Sequence, residues 1–367
     1  MLTIRKEIIA KLRAATSVEE VRTMLNGAIA LEFSTIPPYL TALFSIKAGN
    51  REARALVHSI VIEEMLHMTL AANTLIAIGG DPAILRNAQQ SRYPGPLPMC
   101  VDEALTVTLA SLTRPHIGEV FMAIERPATN AVLPGEARLA AAAAAQVSYD
   151  SIGDFYAAVI DKLAELVASG QPIFEHPRLE RQIDIGKWFP PEIERFPHGK
   201  VSSLESARAV LDTIVRQGEG FRVGKDKIDP KEDPSGNYAH YFKFGEIFYG
   251  HRLVPDPANP SGWSYSGDDV PLDERNIINV VKNAALSDYP PDSGAYVAGK
   301  QFYDAYQSLL LALDQTFNGH PEQLVAALGV MFELKLVAQQ VMQFEVGFAS
   351  LPVYAAPPFM LTRAVAQ

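Results

Sequence analysis

From Ala55 to Ile78 the chain is apolar almost without interruption. Within that stretch Val57, Ile60, Glu64, His67, Ala71, Thr74 and Ile78 fall at alternating steps of three and four. That interval stacks side chains on one face of a helix. No Pro or Gly breaks the segment, and Gly79-Gly80-Asp81-Pro82 ends it, a helix-stop signal. Upstream, Ser17-Val18-Glu19-Glu20 has the form of a capping box. The helix it opens carries Val21, Leu25, Ala28 and Glu32 at steps of four, three and four. Pro37-Pro38 predicts an end or kink about one turn later, before a second apolar run over 39–46. Asn50 is a fair N-cap for the helix that follows.

Further along, Ile152, Phe155, Val159 and Leu163 predict a helix over 151–168. A helix over 203–217 is bounded by Ser202-Ser203-Leu204-Glu205 and Gly218-Glu219-Gly220. Another, over 235–251, carries Asn237, His240, Phe244, Ile247 and His251 at steps of three and four. Two more, over 299–317 and 321–345, close the chain. Residues 101–125 should hold one or two short helices, and 137–145 are Ala-rich. The segments 93–98, 170–199 and 252–293 read as ordered loops, and strand signals are few. The expected architecture is all-α, a single domain over 1–367. Helices at about 17–46, 51–78, 151–168 and 235–251 would form a four-helix core, with the others accessory.

Composition narrows the function classes. With 48% hydrophobic and 20% charged residues the chain is globular. Its net charge is -10, and no Lys/Arg run forms a nucleic-acid or anionic-membrane footprint. The single cysteine, Cys100, excludes an internal disulfide and fits a reducing, cytoplasmic setting. Arg5, Lys6 and Glu7 follow Met1 closely, which does not match a signal peptide. The segment 55–78 is long enough to span a membrane. Its His58, Glu63, Glu64, His67 and Asn73 make that costly and favour a buried core helix.

The candidate chemistry lies where polar residues interrupt these stripes. Glu32, the Glu64–His67 pair and His240 each replace a core residue on an apolar face. A buried carboxylate without compensation costs several kcal/mol or neutralises. Glu-x-x-His on a helix is also the ligand unit of di-iron and di-manganese carboxylate bundles. Two readings follow: a metal site, or a buried hydrogen-bonded network without metal. Glu63 sits about 100° round the helix from Glu64 and reads as a salt-bridge or supporting group. No phosphate loop, nucleophile elbow or Cys-x-x-Cys is present.

Several blocks together resemble a ferritin-like family related to the violacein-pathway iminophenyl-pyruvate dimer synthase. They are Leu31-Glu32-Phe33-Ser34-Thr35-Ile36-Pro37-Pro38-Tyr39-Leu40, Ile62-Glu63-Glu64-Met65-Leu66-His67-Met68, Tyr93-Pro94-Gly95-Pro96-Leu97-Pro98 and Ser151-Ile152-Gly153-Asp154-Phe155-Tyr156. Gln217-Gly218-Glu219-Gly220, His240-Tyr241-Phe242-Lys243-Phe244-Gly245-Glu246-Ile247 and Met331-Phe332-Glu333-Leu334-Lys335 extend the match nearly to the C-terminus. The resemblance implies a ferritin-like four-helix bundle with a carboxylate-and-histidine metal centre. By position it makes Glu32, Glu64, His67 and His240 ligands. It puts Asp154 where the family tends to have a Glu, and Asn237 where it tends to have the Glu of a fourth-helix Glu-x-x-His. Asp shortens the reach and Asn removes a charge.

The resulting expectation is a metal-dependent oxidoreductase. It would use iron, mono- or dinuclear, with manganese or zinc as other metals such ligands accept. The substrate would be a small organic molecule, and by resemblance the reaction oxidative coupling of an amino-acid-derived imine. The rival is a metal-binding or metal-degenerate scaffold without turnover. Expected partners are the substrate and, optionally, further copies of the chain in a homo-oligomer, with no nucleic acid and no membrane. Length and long loops argue against iron storage in a closed shell.

Overall fold

The computed structural model of the chain describes residues 6–100, 105–127, 129, 132–135, 151–189, 199–222, 228–232 and 236–361. The Ala-rich stretch 137–145 lies outside them. After α1 (Lys6–Arg13) come the two longest helices, α2 (Val18–Ser45) and α3 (Arg51–Ala77). They are joined only by residues 46–50, so they run antiparallel. α4 (Ile84–Gln90) and α5 (residues 114–124) follow. Next are α6 (Ile152–Ala168), α7 (Leu204–Glu219) and α8 (His240–Tyr249). α9 (Gly294–Phe317) and α10 (Leu324–Val341) form a hairpin. Six short strands pair as three antiparallel hairpins: β1 (Phe221–Arg222) with β2 (Ile228–Asp229), β3 (His251–Pro255) with β4 (Trp263–Asp269), and β5 (Glu345–Phe348) with β6 (Pro352–Tyr354).

The packing order differs from the expected one. α2 packs on α3, α3 on α7, α7 on α6 and α6 on α2, which closes a four-helix ring. Helix α7, expected to be accessory, is therefore a wall of the bundle. The helix expected over 235–251 is shorter, and α8 packs against α3, α5 and α7. The stripe on α7 explains its place in the ring: Ala207, Val210, Ile214 and Gln217, at steps of three and four, are all buried.

Pro37 and Pro38 do not end α2, which runs through both. Pro38 has no N–H to give the carbonyl of Ser34, one turn back. The Tyr93 hydroxyl donates to that carbonyl instead, at 2.7 Å. A tertiary donor thus replaces the missing bond. Asn50 does not cap α3 with its side chain but holds the chain at Asp273, through 3.0 and 2.9 Å bonds. α3 ends as its glycines predict. Gly79 takes φ 83°, the left-handed region, and the Arg22 guanidinium donates to the Ile78 carbonyl at 2.8 and 2.6 Å.

α3 and the segment Pro321–Val341 are long and apolar enough to pass for membrane spans. α3 is the buried core helix of this bundle, and α10 lies at the surface with Val325, Phe332 and Leu336 exposed.

Candidate metal centre

Inside the ring, Glu32 of α2, Glu64 and His67 of α3 and His240 of α8 converge, all buried. One ligand atom each from Glu64, His67 and His240 lie within 4.8 Å of one another. His67 Nδ1 is 3.6 Å from Glu32 Oε2 and 3.9 Å from Glu64 Oε1. His240 Nδ1 is 2.8 Å from Glu64 Oε1 and 3.5 Å from Glu125 Oε2. The two imidazole rings stack at 5.2 Å.

The outward-facing nitrogens are the informative ones. His67 Nε2 is 2.9 Å from the Gln217 side-chain oxygen, and His240 Nε2 is 2.9 Å from Glu63 Oε2. Both partners are acceptors, so each Nε2 carries a proton and donates. Each ring is left with Nδ1 directed at the carboxylates. Outer partners of this kind orient a ligating histidine. Neither contact of His240 Nδ1 has hydrogen-bond geometry, and it is a buried polar atom without a hydrogen bond. Two inward Nδ1 atoms and the carboxylates Glu32, Glu64 and Glu125 are a donor set that suits a divalent transition metal.

The remaining carboxylate oxygens are held by hydroxyls. Tyr156 donates to Glu32 Oε1 at 2.7 Å, Thr35 to Glu64 Oε2 at 2.7 Å and Tyr39 to Glu125 Oε1 at 2.5 Å. Burial pushes both tyrosines well above their usual pKa, and the adjacent carboxylates add to it, so they stay donors. Burial and the Glu125 charge raise the Glu64 pKa. Burial works against charge on His67 and His240, but the carboxylates around them outweigh it and raise both. Without a cation the imidazoles hold the compensating protons, and a metal at Nδ1 would displace them.

Behind His240 lies a second buried group. Lys243 donates to Glu63 at 2.8 and 2.6 Å and lies 3.4 Å from Glu232. Burial acts to raise the Glu63 pKa, but Lys243 and His240 overcome it and bring it down to about 2.

An open cleft with about 40 Å³ of free volume reaches this cluster. Glu32, Glu64, His67 and Glu125 form its floor, Leu31, Ile124, Ile152, Ile214 and Val215 its apolar walls, and Arg126 and Glu219 its charged lining.

Two residues carried over by resemblance do not join the cluster. Asp154 caps α6: its Oδ2 accepts from the Ser151 N–H at 2.8 Å, and Ser151 Oγ accepts from the Asp154 N–H at 2.9 Å. It is engaged at the helix N-terminus and is not part of the cleft lining. Asn237 is exposed and precedes α8, whose N-cap is Ala239. The chain doubles back there: Ala239 N–H donates to Pro230 O and Glu232 N–H to Asn237 O, both at 2.9 Å. No helical turn places Asn237 above His240. Conversely, Glu125, Gln217, Tyr39, Tyr156 and Lys243 surround the cluster but are absent from the ligand set expected from the sequence. Glu125 follows Ile117 and Phe121 at steps of four, but the widened turn over Ile117–Phe121 breaks that period.

A family model described as ferritin-like matches residues 25–249, more than half of the chain. The chain belongs to the ferritin-like family. The matched span of this ferritin-like chain contains every residue of the cluster. A solved ferritin-like protein from Caulobacter vibrioides has the same fold, with a TM-score of 0.57 and 22% identity, over 89% of this chain and 96% of that one. No curated protein matches the chain.

Proposed function

We propose that this ferritin-like chain is a metal-dependent oxidoreductase that acts on a small organic molecule in the cytoplasm. The observation that carries the reading is the pair of inward Nδ1 atoms, His67 facing Glu32 and Glu64 and His240 facing Glu64 and Glu125, beside a cleft that Glu32, Glu64, His67 and Glu125 line. Iron suits this set best among metals that also turn over, with manganese or zinc as competitors. The donors fall into two halves that share Glu64: His67 with Glu32, and His240 with Glu125. That division favours a dinuclear centre over a mononuclear one.

A bound redox metal would supply the electron chemistry for activating oxygen or peroxide. The protein's own residues do the rest. Gln217 and Glu63 hold the imidazoles, and Tyr156, Thr35 and Tyr39 hold the carboxylates. Leu31, Ile124, Ile152, Ile214 and Val215 give the substrate an apolar bed. Resemblance to the violacein-pathway synthase family points to oxidative coupling of an amino-acid-derived imine as the reaction. Metal analysis of the purified chain, with oxygen consumption after anaerobic Fe(II) loading, tests the reading. A redox metal near stoichiometry and metal-dependent oxygen uptake support it. A chain that takes up no metal is the scaffold instead.

A further inference from the structure

His240 lies between two adjacent glutamates of one helix. Its Nε2 is 2.9 Å from Glu63 and its Nδ1 2.8 Å from Glu64. The two carboxylates are chemically alike and both buried, yet only one can be the inner, ligating partner. What distinguishes them is Lys243, one turn after His240 on α8. Its ammonium is buried and reaches both oxygens of Glu63, at 2.8 and 2.6 Å, while Glu232 takes its far side at 3.4 Å. Glu64, by contrast, accepts from Thr35 and faces the two imidazoles.

We propose that Lys243 is a positioning residue for the metal centre, fixing Glu63 as the outer acceptor of His240 so that Glu64 and His240 Nδ1 are left for the metal. This rests on the metal-binding reading above. With both oxygens held by the ammonium, Glu63 has one task left, accepting the Nε2 proton. Without Lys243, Glu63 and Glu232 would be buried anions with no cation between them, and Glu63 would compete with Glu64 for any metal. The His240 ring would lose the partner that orients it.

The test uses Co(II), a spectroscopic probe of mixed nitrogen and oxygen sites, titrated into the chelator-treated full chain. Two variants are compared with the parent: K243M, and E63Q/K243M, which leaves Glu232 as the one buried anion of the group instead of two and serves if K243M does not fold. Outer-partner losses at metal-bound histidines cost about 10–100-fold in affinity. Both variants should bind Co(II) at least about 10-fold more weakly. In the Co(II) form, the slowly exchanging, paramagnetically shifted Nε2–H resonance of His240 should exchange rapidly in the variants. A merely structural role would lower thermal stability while leaving affinity and that resonance unmoved. Parental affinity with a retained slow resonance in a folded variant overturns the proposal. If the parent itself binds no Co(II), the metal-binding reading and this one fall together.

Discussion

Replacing His67 with Ala separates the two readings of the buried cluster by its energetics. The side chain is 2% exposed, so its removal leaves a cavity and strips Gln217 of its partner. That costs about 2–4 kcal/mol whether or not metal is present. The metal-linked part is separate. At free Fe(II) 100 times the dissociation constant, a native-state ligand adds about 2.7 kcal/mol. If loss of one ligand weakens binding about 100-fold, the same Fe(II) adds only about 0.4 kcal/mol to the variant. The stabilisation by Fe(II) should thus differ by about 2.3 kcal/mol between parent and variant. Urea unfolding of both proteins under anaerobic conditions, with and without Fe(II), measures this difference, and elemental analysis gives the metal content. Equal Fe(II) increments in the two proteins would make His67 a core histidine and end the shared-site argument.

Asp154→Ala should cost about 1 kcal/mol by loss of the capping-box bond to the Ser151 N–H, and Asn237→Glu should be near neutral. Neither should change metal content; a loss on Asp154→Ala or a gain on Asn237→Glu would refute the position of that residue outside the cluster. Tyr93→Phe should destabilise by about 1–3 kcal/mol, because the Ser34 carbonyl loses the donor that replaces the Pro38 N–H; a change below about 0.5 kcal/mol in urea unfolding would mean that water takes over. His116 is buried with Nε2 unpartnered, and burial, with the Lys282 charge, holds its pKa down at about 4. The unfolded chain therefore binds the proton first: stability is unaffected above about pH 7, and falls as pH drops from about 6.5 to about 4, by up to about 3 kcal/mol. His116→Phe should flatten that part of the stability–pH curve, and an unchanged slope would refute the assignment.

How far the sequence carries depends on which interactions are local. The α2 and α3 stripes specify two antiparallel helices, and a charged residue on each apolar face marks Glu32, Glu64 and His67. These are one-helix signals, and periodicity reads them. His240 is legible in the same way although its helix is shorter than expected. Its stripe partners Phe244 and Ile247 lie on α8, while Asn237 groups with it only because steps of three and four continue past the helix start. The reversal at Pro230 and Ala239 is a contact between backbone segments and leaves no period. Pro37-Pro38 misleads for a related reason: the donor that lets α2 continue, Tyr93, is remote in sequence.

The assignment of the bundle's walls shows the same division more sharply. Gln217 closes a regular buried stripe on α7, and a polar residue there is the same kind of signal as Glu32. It is the weaker signal, because an uncharged amide on an apolar face is less costly to bury than a carboxylate and demands less explanation. Yet the amide is what orients His67, and reaching it requires α7 in the ring beside α3. Glu125 is hidden differently. α5 contains a widened turn over Ile117–Phe121. One extra residue per turn rotates everything after it by about 100°. Residues before the bulge therefore do not predict the facing of residues after it. Phe121, beyond the start of that turn, packs on Tyr39 at 4.8 Å, and Tyr39 binds Glu125. The irregular turn, with the aromatic contact beside it, brings α5 to the buried cluster and supplies the third carboxylate that Asp154 and Asn237 do not.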